Sequence, residues 1–209
     1  MKTKTEFMNT LKDLNRILQA HHQGRKKTEF IEEGIGISQL RSDGEAVLNT
    51  KVLEAFCKEI GLTHEKQCAY DSQQNGKVDN KISNIWQGSE AMRKAGGMPE
   101  MYWPFALQAY VHVHNMRPLN SNRTGFPDGV TPFEIFNNVE IEYKKLIKHT
   151  RILGCLAYGL VEKKLRGGKQ GDHAQPAIFL GYSDEVSQQK GYILQRLSDG
   201  HIMVKTCLF

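Results

Sequence analysis

Residues 72–80 read SQQNGKVDN. A polar turn rich in Gln, Asn and Gly runs straight into a stretch with helical apolar spacing: Val78, Ile82, Ile85, Trp86, Met92 and Ala95, ended by Gly96-Gly97. The pattern predicts a helix with one carboxylate, Asp79, just inside its start. Asp79 is then either an ordinary first-turn acid, favoured by the positive end of the helix dipole, or one member of a metal-binding pair.

Working outward, residues 35–42 alternate Ile and Leu with short polar spacers and predict a strand ending at Asp43-Gly44. Residues 50–60 predict a helix with Val52, Phe56 and Ile60 on one face, stopped by Gly61, and residues 62–68 a short strand. Residues 6–22 predict an amphipathic helix whose stripe is Phe7, Leu11, Leu14 and Leu18. A further helix runs from about Glu100 to Asn115 and closes at Arg117-Pro118. Strand, helix, strand, helix, helix is an α/β order in which helices cover a sheet. Trp86, Trp103 and Phe105 sit at helical positions that suit core packing, with stacking platforms as the alternative.

Beyond a Pro/Asn/Gly-rich connection at 118–142 the texture changes. RILGCLAYGLV, PAIFLGYS, GYILQRL and HIMVKTCLF are short β-type runs spaced by Gly, Asp, Ser and Lys turns, the pattern of a small all-β barrel. The chain therefore divides into residues 1–117, a connecting segment 118–142, and a barrel at 143–209.

Apolar residues make up 39% and charged residues 24% of the chain, a globular composition. No run approaches the roughly 18 apolar residues needed to span a bilayer, and residues 1–18 lack the apolar core of a signal peptide. Cys57, Cys68, Cys155 and Cys207 are widely spaced, which argues against a zinc module and for a reducing compartment. The net charge is +5, and residues 143–175 hold eight Lys or Arg against two acids. That local excess is either a solvated face or a polyanion-binding patch.

Asp43 and Asp79 are separated by 35 residues, one at a strand end and one at a helix start. Spacing alone leaves open whether they share a metal. QLRSDGEAV, FCKEIGLTHE, YDSQQNGKVDN and the series GCLAY, AIFLGYS and KGY together resemble the integrase region of copia-type retrotransposon polyproteins, over roughly residues 5–209. The resemblance implies a partial RNase H-like, retroviral integrase-type α/β core followed by an SH3-like barrel. It also implies DNA cutting and joining by Asp, Asp and Glu ligands that hold two Mg²⁺ or Mn²⁺ ions. Such ions activate the attacking oxygen and stabilise the leaving one, and hard cations require oxygen ligands.

On that resemblance Asp43 takes the place of the second Asp, and Asp79 the place of the Glu, as degenerate catalytic and metal-binding residues. Asp79 is one methylene shorter than Glu, about 1.5 Å of reach. The first Asp of the family's triad has no counterpart: the only Asp before Asp43 is Asp13, inside the first helix. The expectation is a truncated core without its first strands, catalytically inactive by itself, with a sheet edge open to self-association. The resemblance also lays residues 70–77 against DNA. Tyr70, Gln73, Gln74, Asn75 and Gly76 would line the contact, and Lys77 and Lys81 would supply charge. In the barrel, Lys163, Lys164, Arg166 and Lys169 form a basic strip suited to phosphates. DNA is thus the expected partner and the nucleus the expected place of action. The alternatives are an active strand-transfer enzyme within a longer polyprotein and a protein-interaction module built on the barrel. His21-His22 and His112-x-His114 lack nearby cysteines and read as surface or helix-packing residues.

Overall fold

The computed structural model describes residues 4–22, 39–42, 51–66, 76–120, 128–137, 149–166, 171–183 and 191–208. The chain forms two compact units, residues 1–80 with 135–139, and residues 81–134 with 140–209.

In the first unit, helix α1 (Lys4–His22) precedes strand β1 (Gln39–Ser42), helix α2 (Lys51–Glu59) and strand β2 (Thr63–Lys66). β1 and β2 pair in parallel from Gln39 opposite Thr63 to Ser42 opposite Lys66. A parallel pair needs a crossover, and α2 supplies it. Leu11, Leu53, Phe56, Cys57 and Leu62 form the core, with Phe7, Met8, Leu40 and Ile60 packed around them. α2 ends because Gly61 adopts φ +70°. Gly61 N then donates to Lys58 O and Leu62 N to Cys57 O, which satisfies the last carbonyls and turns Leu62 inward.

Two sequence expectations about faces are corrected here. Val52 is exposed; the buried row of α2 is Leu53, Phe56 and Cys57, three and four residues apart and rotated from Val52 by one position. On α1 Leu14 is exposed, and Leu11 and Asn15 are buried beside the half-buried Phe7 and Met8.

Helix α3 (Gly76–Ala95) crosses the division between the units. It ends like α2: Gly97 has φ +65°, and Met98 N donates to Arg93 O. The buried Arg93 side chain donates to Met98 O and, from Nε and the other terminal nitrogen, to the Glu90 carboxylate at 2.9 and 2.6 Å. Of the apolar stripe expected on α3, Met92 packs on the core and Ile85 is half-buried, but the rest is not the buried face. Val78, Ile82 and Trp86 are exposed, and the buried residues are Ser89 and Arg93. The cause is steric: Tyr110 of helix α4 (Trp103–Asn115) lies against Gly88, where a Cβ would stand 2.2 Å from its ring. The small residues of α3 admit α4, so the Gly88 and Ser89 side faces inward.

Trp86 and Trp103 are also corrected. They are 53% and 46% exposed and meet each other at a ring-centroid distance of 5.8 Å. Phe105 does pack on the core as expected.

Within 118–142, expected only as a connection, Pro132–Asn137 forms a short helix, α5. Thr131 Oγ1 accepts from Glu134 N, and the Glu134 carboxylate accepts from Thr131 N, a reciprocal cap.

The β-type runs form one antiparallel sheet: β3 (Leu156–Leu160), β4 (Ala174–Tyr182), β5 (Tyr192–Arg196), β6 (Ile202–Lys205) and β7 (Cys207–Leu208), in the order β6-β5-β4-β3-β7. β6 and β7 lie at opposite edges yet are joined through Thr206 alone, so the sheet must curl until its edges meet. Its inner face is Ala157, Ala177, Phe179, Tyr182, Leu194 and Met203. Part of the outer face is covered by α4, whose Ala106 and Ala109 pack on Leu180 with Ile178 and Ile193. Alanines at the contact let the helix axis approach closely. His112 stacks on Tyr182 at 4.0 Å. Residues 81–95 of α3 and all of α4 thus belong to the same compact unit as the sheet.

Candidate nucleic-acid interface and carboxylate site

Gly76, Lys77, Asp79 and Lys81 lie in the first turn and a half of α3, and the last three are exposed. Two residues is about 200° of helix, so Lys77 and Lys81 share one side and Asp79 the other. Lys81 Nζ stands 2.6 Å from His114 Nε2 on α4. An ammonium can only donate, so the imidazole accepts and is neutral. Burial, then the charges of Lys81 and Arg117, hold the His114 pKa below its ordinary value.

Lys163 and Lys164 are exposed on a single 3₁₀ turn, Lys163–Leu165, after β3. Arg166 is half-buried: its Nε donates to Val161 O at 2.8 Å, and one terminal nitrogen meets His173 Nδ1 at 3.1 Å. The guanidinium is thereby partly engaged before any ligand arrives, unlike the two lysines. The structure brings Gly76, Lys77, Asp79 and Lys81 together on one helix, and Lys163, Lys164 and Arg166 together on one turn. Asp43, Tyr70, Gln73, Gln74, Asn75 and Lys169 lie outside the described residues.

The strand leading to Asp43 is held by side chains the motifs do not single out. Arg41 donates twice to Glu65 Oε2, at 3.2 and 2.7 Å, across the parallel pair. The buried Ser42 hydroxyl stands 2.8 Å from His64 Nε2. His64 Nδ1 is buried with no hydrogen-bond partner among the described residues. His64 was readable only as part of the LTHE segment, because its partner lies 22 residues upstream.

Asp79 offers an oxygen donor of the kind Mg²⁺ or Mn²⁺ requires. Among the described residues no group of three or more His, Cys, Asp or Glu stands close enough to hold a metal ion. The described part of the chain therefore supplies one of the implied ligands.

No family model matches the chain. It is 28% identical over 154 residues to a retrovirus-related Pol polyprotein from transposon TNT 1-94 of Nicotiana tabacum, covering 74% of this chain. It is 22% identical over 204 residues, 98% of this chain, to the Pol polyprotein from transposon RE1 of Arabidopsis thaliana. The chain is a relative of copia-type retrotransposon polyproteins. The integrase region is the part of such copia-type polyproteins that its QQNG, FLGYS and KGY motifs resemble. The chain spans only 11% and 12% of the length of these two relatives. Among solved structures, the simian T-cell lymphotropic virus intasome in complex with PP2A regulatory subunit B56 gamma is 13% identical, with a TM-score of 0.45 over 99% of this chain and 63% of that one. The catalytic core domain of BIV integrase is 20% identical, with a TM-score of 0.35 over 54% of this chain and 64% of that one. Both superpositions are loose, and no residue correspondence rests on them. No helix among the described residues is long and apolar enough to cross a membrane.

Proposed function

We propose that this copia-type chain is an integrase-region module that binds nucleic acid through its phosphates and does not join DNA strands by itself. In this reading the first unit and its helices derive from an RNase H-like core, and the curled sheet is an SH3-like barrel. The observation that carries the reading is the relationship to copia-type polyproteins, joined to the order β1, α2, β2, α3 with Asp79 in the first turn of α3. The exposed Lys77, Lys163 and Lys164 supply the cations, and such contacts position a duplex without reading its sequence. Asp79 is the reason for proposing inactivity: a carboxylate one methylene shorter than Glu meets the strict octahedron of Mg²⁺ poorly. Action in the nucleus and self-association through the edges of the two-stranded sheet belong to the same proposal.

Binding of a fluorescent duplex across a salt series tests it. The logarithm of affinity should fall linearly with the logarithm of salt, by about 0.9 for each phosphate neutralised. No retention of duplex at low salt, or a flat response, overturns nucleic-acid binding. A nicking assay with Mn²⁺ tests the second half: cleavage that disappears in Asp79→Asn identifies a working metal-dependent cleavage site and overturns inactivity.

A further inference from the structure

α4 covers only part of the outer face of the sheet. At one limit Tyr102, just before α4, donates its hydroxyl to Gln195 of β5 at 2.6 Å. Beyond that contact the outward positions follow from the register. Tyr158 is opposite Pro176, Leu197 N donates to Pro176 O, and Ile202 is opposite Gln195. The alternate residues Ala157, Ala177, Leu194 and Met203 point inward and are buried. Side chains one position along a strand point to opposite faces, so Tyr158, Pro176 and Ile202 share the outer face with Leu156, and Leu197 follows in the turn after β5, its N–H bonded to Pro176 O. All five are exposed, Leu156 to 54%, Leu197 to 52%, Tyr158 to 45% and Ile202 to 44%. One exposed Leu is ordinary, but exposed apolar residues gathered from β3, β4, β6 and the turn after β5 mark an interaction surface.

The charges at the same end of the sheet indicate the occupant. β3 ends and β4 begins there, since Leu160 is opposite Ala174 and Val161 N donates to His173 O. Lys163 and Lys164 stand on the intervening turn. Of the described acids near this end, Glu162 pairs with Lys205 and Asp199 with Arg196, while Asp172 is exposed in the connection between β3 and β4. A mostly aliphatic strip offers Tyr158 as its one face for stacking a base, so it suits a peptide better than a nucleic acid. We propose that this strip docks an amphipathic peptide segment, its aliphatic side on Leu156, Tyr158, Pro176, Leu197 and Ile202 and its acidic side toward Lys163 and Lys164. The proposal shares Lys163 and Lys164 with the nucleic-acid reading and differs from it in the aliphatic strip, which that reading does not use.

The experiment is selection of a random 12-residue peptide library on the full chain, followed by affinity measurement of the enriched peptides. Enriched sequences should combine aliphatic residues with Asp or Glu. Their affinity should fall about tenfold or more in Leu197→Asp, as expected when a central apolar contact is lost. In Lys163→Glu/Lys164→Glu affinity should fall and its salt dependence flatten. Leu197 and both lysines are exposed, and circular dichroism checks that each variant is folded. No enrichment, enriched peptides without acids, or affinity unchanged in Leu197→Asp overturns the proposal. So does displacement of the peptides by a single-stranded oligonucleotide that binds the wild-type strip and not Leu197→Asp, which would assign the surface to nucleic acid.

Discussion

Ser42 Oγ lies 2.8 Å from His64 Nε2, so the last residue of β1 is tied to the neighbouring parallel strand immediately before Asp43. Ser42 is buried, and a buried hydroxyl left without a partner bears its desolvation penalty uncompensated. His64→Ala should therefore destabilise the chain by about 1–3 kcal/mol. The double variant with Ser42→Ala should lose less than the two single losses together, because one contact is removed in both. Urea unfolding of the four proteins measures this, and strict additivity would show that the two side chains do not interact.

His114 is held neutral against Lys81, and its pKa lies below the ordinary value. Between the folded and unfolded values the unfolded chain binds the proton and the folded chain does not. Stability contributed by this site should therefore rise with pH through that window and be lost as pH falls below it. A two-dimensional NMR titration should place the His114 midpoint below that of a free imidazole, and Lys81→Gln should move it upward. A midpoint that ignores Lys81→Gln contradicts the contact.

Glu90 is the opposite case. Hydrogen bonds from Arg93 hold its carboxyl at about 2, with Lys94 adding a contact at 3.3 Å. A depressed carboxylate contributes stability that is present above its unfolded value and is lost as pH falls toward about 2. Glu90→Gln should lower the melting temperature at pH 7 and make the curve flatter between pH 4.5 and 2. Thermal melts across that range decide it; parallel curves for the two proteins would leave Glu90 without this role.

The ring of Tyr110 occupies the space a side chain on Gly88 would need. Gly88→Ala must displace the half-buried Tyr110 ring from its stack on His114, and the chain should be destabilised by about 1 kcal/mol despite the better helix propensity of Ala. Tyr110→Ala in the Gly88→Ala background should recover part of that loss if the clash is the cause. Denaturant midpoints of the single and double variants test the pairing.

The order of elements was readable because it rests on local patterns. The helix from Gly76 to Ala95 and its stop at Gly97 follow from apolar spacing and from a glycine that adopts positive φ. Burial faces were less readable. The period of α1, α2 and α3 was right, but the phase was set by what packs on them. A row such as Val78, Ile82 and Trp86 looks like a core stripe in sequence and remains at the surface here. The candidate site divides in the same way. Asp79 and the lysines stand out as motif members, whereas Ser42 with His64, Lys81 with His114 and Arg166 with His173 are pairs between distant positions.

What the amino-acid sequence by itself determined is the main helices and β-type runs, α5 excepted, and the copia-type relationship, since caps, glycine stops and motifs act over a few residues. Only the tertiary structure decided which faces are buried, that β6 and β7 close the sheet from opposite edges, and that α4 stops short of Leu197 and Ile202. Those outcomes depend on steric fit between residues far apart in the chain. Periodicity carries no information about which of two apolar rows finds a partner.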